Sequence, residues 1–582
     1  MQPLHALLAA AVGCAIATPA FAASLELQLL SAYTAAAGAR PRSSEIIAYT
    51  PDQFTVLATL GDNGAGGPNT PRTPLFGVKV LSLSNDGSLS ERGLVTFNDA
   101  FGGPAALRDA SSTALDPVGR GFGVVSLIPT ANGTTPGKIG FFDYRAGSLG
   151  AIRTIDVGFH PDSVKFSADG TKLYVVNEGE FTSGGATDAP GSLSIIDLSG
   201  VSGPGDLAGL TDAAVSTYDF QGANLATGVS INGLRYNDLT PGATANRYRH
   251  VEPEFLTEVD GKLVVSLQEN NALAEFDVAT RQWTAIRSLG AITNTIDASD
   301  RDGSGGSPSA QVNDPVAGLP MPDVLASFTV AGTAFVVTAN EGDFRVDDAD
   351  RARVSDVGSG GRPAVDPDVA AALNLAYGGN FRANGALGRL RVSIVDGDTD
   401  GDGDIDVLTA TGTRGFSIWN AASGDLVKDS GSLEELLLSL DPTRHNINFT
   451  GSIDARSPDK GPEPEGLTVA TIGGRPILFI GMERQGGILA FDLGDPLSPA
   501  FRGYANAEGS GLSAPESLVF IRAADNPTGR DLLLVGYEGI DGDSRYGIGV
   551  FSVVPVPPAA ILLGSGVLAL GAARRRRSAP PT

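Results

Sequence analysis

Apolar residues in this chain come in short runs bracketed by acids. Five stretches share one plan: proline, acid, apolar run, turn, second apolar run, second acid. They are PDSVKFSADGTKLYVVNEGE (161–180), PEFLTEVDGKLVVSLQENN (253–271), PDVLASFTVAGTAFVVTANEGD (322–343), PEGLTVATIGGRPILFIGMER (464–484) and PESLVFIRAADNPTGRDLLLVGYEG (515–539). Two β-rich runs around a Gly- or Asp-containing turn predict a hairpin. A third strand follows in seven places: 76–85, 138–147, 192–200, 272–280, 415–424, 487–495 and 547–555. Short fourth strands follow several of these, as at 215–220, 283–289 and 426–431. A unit of this kind cannot bury its own face, so neighbouring copies must supply the core.

Four-stranded units in series predict an all-β fold, a β-propeller of seven blades, or eight if Leu390–Val395 forms its own. The first two units, from Ile46 and around 116–129, are the least regular, and the second lacks the acidic bookends. Insertions fall at 221–251, 291–321 and 343–412, the last between the second and third strands of one blade. Long insertions project from the faces of a propeller, where binding residues lie.

Composition agrees with many short strands and tight turns: 76 of 582 residues are Gly and only 18% are charged. A formal charge of −25 argues against nucleic acid or an anionic membrane surface as partner. Residues 1–23 carry an apolar run and then Ala20-Phe21-Ala22, which predicts a signal peptide and export. The single cysteine, Cys14, would leave with it. Residues 24–43 read as a linker and 44–553 as the propeller.

At the other end, residues 554–577 run from Val-Pro-Val-Pro-Pro through an apolar stretch to four arginines, before a short tail (578–582). The stretch is long enough to span a bilayer, with the basic cluster cytoplasmic. Its order resembles the PEP-CTERM/VPLPA-CTERM sorting signals of Gram-negative bacteria. That resemblance implies an exosortase-type enzyme as partner, contact with the membrane only through this helix, and a cell-surface or extracellular-matrix location.

In a hairpin, the start of the first strand and the end of the second lie side by side. The paired acids are then Asp162 with Glu178, Glu254 with Glu269, Asp323 with Glu341, Glu465 with Glu483, and Glu516 with Glu538, with Glu45 and Asp62 as a degenerate sixth. First strands line a propeller's channel, so these acids should crowd one mouth. There they repel unless a cation, basic residues or raised pKa values relieve them. Candidate counter-charges are His160, Arg345, Lys460 and Arg484. The alternative is structural, with the Pro-acid capping a turn and the Glu accepting backbone N–H groups between blades.

The sharpest local motif is DGDTDGDGDID (396–406), where Asp396, Asp398, Asp400, Asp402 and Asp404 alternate as a Ca²⁺ loop requires. Val407 stands where an EF-hand has its bidentate acid, so Asp406 or a distant acid would complete the shell of a structural Ca²⁺. In DASDRDG (297–303), Arg301 lies among Asp297, Asp300 and Asp302, which reads first as an ion-paired loop. No G-x-S-x-G, H-E-x-x-H, P-loop or dinucleotide fingerprint is present, and His5, His160, His250 and His445 are scattered.

The segments HPDSVKFSADGTKLYVVNEGE, LQENNALAEFDV, DASDRDG, TANEGD, GTRGFSIWN and KGPEPEGL, in this order, resemble the choice-of-anchor I family of bacterial surface propellers. The resemblance runs from about residue 44 to 553. The family is also similar to so-called mesenchyme-specific cell-surface glycoproteins, and some members bear an alkaline-phosphatase label. It implies a secreted seven-bladed propeller and no particular reaction.

The first expectation is a Ca²⁺-stabilised surface protein binding a ligand at its acidic mouth. The alternative is a metal-dependent phosphoesterase similar to propeller phytases. It would hold a second metal in the channel and engage phosphate through Arg301, Lys460 or Arg484, with Glu465 and Glu483 as catalytic candidates. A third reading is a lactonase-like hydrolase whose channel metal would take Asn177, Asn270 and Asn340.

Overall fold

The computed structural model describes residues 24–34, 45–62, 75–179, 188–236, 243–345, 348–448, 451–539 and 546–556. Each Pro-acid repeat folds as the first hairpin of a four-stranded antiparallel sheet, and seven blade sheets can be traced, the second of them with a fifth strand, Leu107–Asp109. Blade 1 comprises Ile47–Thr50, Thr55–Asp62, Leu75–Leu83 and Leu89–Thr96; blade 2 comprises Thr113–Leu115, Phe122–Pro129, Lys138–Asp143 and Gly150–Asp156. Blade 3 has Pro161–Phe166, Lys172–Asn177, Ser192–Asp197 and Val215–Asp219; blade 4 has Pro253–Val259, Lys262–Leu267, Ala272–Asp277 and Gln282–Ser288. Blade 5 is Leu325–Val330, Thr333–Ala339, Phe416–Asn420 and Leu426–Asp429; blade 6 is Pro464–Ile472, Arg475–Met482, Gly487–Asp492 and Ala500–Asn506. Blade 7 has Pro515–Ile521, Leu532–Tyr537 and Gly547–Val556, and takes its outer strand, Ser24–Thr34, from the other end of the chain.

First strands of successive blades touch, and that of blade 7 touches that of blade 1, so the sheets close into a ring. This is a β-propeller. The seven predicted third strands are the third strands of the seven sheets. The region proposed as an eighth blade is not one: Arg391–Ser393 pairs with Arg351–Arg353 inside the longest insertion.

The expected linker at 24–43 is also corrected. Ser24–Thr34 runs antiparallel to Gly547–Val556, from Ser24 opposite Val556 to Thr34 opposite Gly547. Leu25 and Leu27 are buried at the seam with blade 6 while Glu26 and Gln28 face out, the alternation of a half-buried strand. Pairing these two distant segments latches the ring, so that blade 7 has the same four strands as its neighbours. The propeller therefore extends to Val556, past the boundary expected at 553. The predicted signal peptide, the remainder of the sorting segment and the 578–582 tail lie outside the described residues. Among those described, no helix is long and apolar enough to cross a membrane.

Hydrophobic clusters sit between blades rather than within them. Leu57, Phe76 and Val125 join blades 1 and 2; Phe122, Val164 and Leu173 join 2 and 3; Phe416, Leu478 and Phe491 join 5 and 6. Each blade thus borrows its neighbour's face, as the repeat pattern requires.

The insertions build a satellite layer of their own. Ile292–Ile296 pairs with Asp314–Leu319, which lies parallel to Thr409–Thr411. Ile296, Val354, Phe381, Leu390 and Ile405 share its core with the helix Pro367–Ala376 packed alongside. Asp366 caps that helix by accepting from Asp368 N and Val369 N, both at 2.9 Å.

Candidate functional site

The inner strands share a device that aims their acids. In blades 3, 4, 6 and 7 the register with the second strand slips just after the proline, beside Asp162, Glu254, Glu465 and Glu516. Such a bulge re-aims a side chain at the cost of ladder regularity. The residue before the proline is left-handed in four blades: His160 (φ 47°), Met321 (φ 41°), Glu463 (φ 54°) and Ala514 (φ 60°). Non-glycine residues adopt that conformation at a cost that the surrounding structure must hold. Gly466, next to Glu465, permits a close approach of blades 6 and 7, since a Cβ there would lie 1.9 Å from the carbonyl oxygen of Glu516.

The device delivers its acids to a channel cavity of about 380 Å³. Blade by blade, the inner-strand positions facing it are Glu45, Ser111, Asp162, Glu254, Asp323, Glu465 and Glu516. Six acids and one serine follow from seven copies of one position, with Ser111 replacing the acid in blade 2. From the far ends of the second strands come Gln268, Glu341, Glu483 and Glu538.

One predicted pairing needs correction. Pro253 lies opposite Leu267 as Pro464 lies opposite Met482, so the partner of Glu254 is Gln268, one residue before the expected Glu269. Gln268 Nε2 donates to Glu341 Oε2 at 2.9 Å. Glu269 is outside the cavity lining, and its pKa is raised by burial and by the charges of Glu252, Asp343 and Asp350. Asp162 and Glu178 meet as expected: with His160 they offer atoms within 4.8 Å of one another, and Glu178 Oε2 lies 3.0 Å from His160 Nδ1, outside the cavity lining. The side chain of Asp62 is outside the described residues, and the acids acting on Glu45 are Asp109 first, which was not anticipated, then Glu538 and Asp162.

Burial comes first, then crowding, in pushing the carboxyl groups of Glu45, Glu254, Asp323, Glu465 and Glu516 well above the usual carboxylate range. Glu483 is pushed up to about 8 by burial and by Glu463, Glu538 and Glu341, against the opposing charge of Arg484. Glu516 shares side-chain hydrogen bonds with Glu465 and Glu538, an arrangement that needs a proton between carboxyl groups.

Cations gather at one side of the mouth. Lys460 contacts Glu341 and lies 3.4 Å from Asp343 and 3.2 Å from Glu463. Arg484 is 3.2 Å from Glu463 and 3.1 Å from Glu483. Glu463 was missed by sequence reasoning although KGPEPE displays it. It is fully buried, and despite that burial Lys460, Arg456 and Arg484 hold its carboxyl down at about 2. Carboxylate oxygens of Asp323, Glu341 and Glu465 lie within 4.8 Å of one another, close enough to share one cation.

A model of the choice-of-anchor I domain matches residues 78–496, more than half of the chain. The chain belongs to the choice-of-anchor I family. It is also 36% identical over 109 residues to Gigasin-3a of Magallana gigas, a match spanning 38% of that protein and 18% of this one. Among solved structures it is similar to the hydrazine synthase of Kuenenia stuttgartiensis (11% identity, 88% of this chain and 95% of that one, TM-score 0.41). It is likewise similar to the WD40 domain of Toxoplasma gondii coronin (7% identity, 92% and 87%, TM-score 0.43).

In this choice-of-anchor I chain the Asp-rich loop differs from the five-ligand set read from its spacing. Asp396 is turned away, its Oδ2 accepting from Arg235 Nε (2.6 Å) and Ser393 Oγ (2.5 Å). Asp398 accepts from the amides of Gly401 and Gly403, Asp400 from that of Asp402, and Asp402 from that of Asp404. The acids that converge are Asp404, Asp406 and Asp366, the helix cap thirty-eight residues before Asp404.

Arg301 is outside the channel lining, within 4.0 Å of Asp300, whose principal partner is Arg389. Arg345 is buried and likewise outside it. The lactonase-like ligand set is overturned. Asn177 is occupied by Gly158, Ser192 and Ser194; Asn270 by Glu252, Arg235 and His250; and Asn340 by Thr338, Thr413 and Ser417. Buried amides satisfied in this way brace strands instead of ligating a channel metal.

Proposed function

We propose that this protein is an exported seven-bladed propeller, displayed at the surface or released into the matrix, that binds a cationic ligand or divalent cation at its acidic channel mouth. The convergence of Asp323, Glu341 and Glu465 carries the reading. An all-carboxylate set suits a hard cation such as Ca²⁺. A divalent ion there would relieve the burial and repulsion that push Asp323 and Glu465 toward the neutral acid.

A second, structural Ca²⁺ belongs at Asp366, Asp404 and Asp406. The donors there are all oxygen, and Asp404 Oδ1 is buried without a hydrogen-bond partner. Display rests on the sequence of the two ends: the signal-like residues 1–23 and the Pro-apolar-Arg order of 554–577, which an exosortase-type enzyme would process.

Lys460 and Arg484 favour a second reading, metal-dependent phosphoester hydrolysis, because both line the cavity and a phosphate could engage them. Their existing ion pairs with Glu341, Glu463 and Glu483 weigh against it. Calorimetric titration of the metal-free protein with Ca²⁺, with phosphate-ester turnover assayed in the same samples, separates the two. Binding lost in Glu465→Gln without turnover at any metal level supports the binding protein. Ca²⁺-dependent turnover lost in Glu465→Gln or Glu483→Gln establishes the esterase.

A further inference from the structure

We propose that Asp297, His445 and Asp454 form a third cation site, buried beside the insertions and selective for a transition-series divalent ion such as Zn²⁺ or Mn²⁺. One ring nitrogen of His445 and one carboxylate oxygen from each aspartate lie within 4.8 Å of one another. All three side chains are fully buried, 0% exposed. His445 Nε2 is 2.9 Å from Asp297 Oδ2, while Nδ1 is buried with no hydrogen-bond partner. The neighbouring Asn446 Oδ1 is buried and unpartnered as well. Native interiors rarely leave such atoms unsatisfied, and an ion is one of the few things that accounts for them.

Charge counting points the same way. Glu434, another acid at the junction, is neutralised by Arg414 at 2.6 Å. Within the cluster two aspartates face one imidazole, and Asp302 and Asp314 add further acid beside Asp297. A proton on the imidazole balances one aspartate, whereas a divalent ion with neutral imidazole balances both. The mixed nitrogen and oxygen donors distinguish this site from the all-carboxylate channel and select a different class of metal. A bound ion would clamp the 291–321 insertion, which supplies Asp297, to the loop between blades 5 and 6.

Crystals of the full chain grown with Mn²⁺ test the site by anomalous diffraction. The expected result is a peak within about 2.3 Å of a His445 nitrogen and of both carboxylates. Peaks confined to the channel or the Asp-rich loop, or no peak at all, would overturn the proposal. Pulsed electron paramagnetic resonance adds an independent readout, the coupling of bound Mn²⁺ to an imidazole nitrogen. It should persist in His160→Asn and vanish in His445→Asn, and its loss in His160→Asn instead would place the metal in the channel. Should His445→Asn fail to fold, the wild-type crystal and the His160→Asn spectrum still decide.

Discussion

The channel mouth and the junction around Arg414 both concentrate carboxylates, yet they handle charge in opposite ways. At the mouth one position is repeated around the ring, so like charges accumulate at a cavity open enough to admit an ion. At the junction each residue occurs once, and Glu434 has its own cation in Arg414. Arg414 donates to Glu434 Oε1 and to the carbonyls of Asp297, Ser457 and Asp459. Repetition produces an excess that something external must neutralise, whereas unlike residues can neutralise one another. Glu463 and Glu465 show the same contrast two residues apart: the first is held ionised by three cations and the second is pushed toward the neutral acid.

The largest effect should separate the two regions directly. Arg414→Met leaves Glu434 buried without its cation and should cost about 3–5 kcal/mol in chemical denaturation. Glu465→Gln in metal-free protein should cost nothing or stabilise, because it replaces a buried, crowded carboxyl with a neutral amide of the same shape. Equal losses in both variants would abolish the distinction.

Next in size is a pH dependence. Glu483 titrates near 8 in the folded protein against an ordinary 4.5, so the folded state holds the proton more tightly. Its contribution to stability is full below pH 4.5 and is lost as pH rises toward 8. Glu463 works the other way, contributing above pH 4.5 and losing that contribution as pH falls toward 2. Melting temperatures of metal-free protein should therefore decline between pH 4.5 and 8. Saturating Ca²⁺ should flatten the decline, and Glu483→Gln should reduce it.

Gln268→Glu would complete the repeat. It replaces the hydrogen bond to Glu341 with a like charge, which should cost about 1–2 kcal/mol without metal and tighten divalent-ion binding in calorimetry. The smallest effect concerns the Asp-rich loop. Asp398→Asn should change metal-free stability by less than about 1 kcal/mol and leave Ca²⁺ protection intact. Asp404→Asn should remove that protection, as thermal melts with and without Ca²⁺ would show.

Much of the site was legible because it is repetitive. Pro-acid dipeptides before apolar runs marked Asp162, Glu254, Asp323, Glu465 and Glu516, and all five face the channel. The same regularity misled in blade 4, where an acid at Glu269 concealed the register that places Gln268 at the mouth. The strand at 24–34 shows an alternating pattern, but its partner lies at the far end of the chain, so nothing local identified it. In the Asp-rich loop, alternate spacing is only one use of aspartate. Four of the five predicted ligands accept hydrogen bonds within the loop or, like Asp396, from Arg235, and the helix cap Asp366 enters from outside.

By itself the sequence determined the strands, their grouping into blades and the acids of the inner strands, because period-two burial and turn chemistry are local properties. Only the tertiary structure decided which groups share a charge environment. Asp297 and His445 meet across 148 residues, and Lys460 reaches Glu341 across 119. Electrostatic interaction depends on distance and burial in the folded ring, and neither is written in the order of residues along the chain.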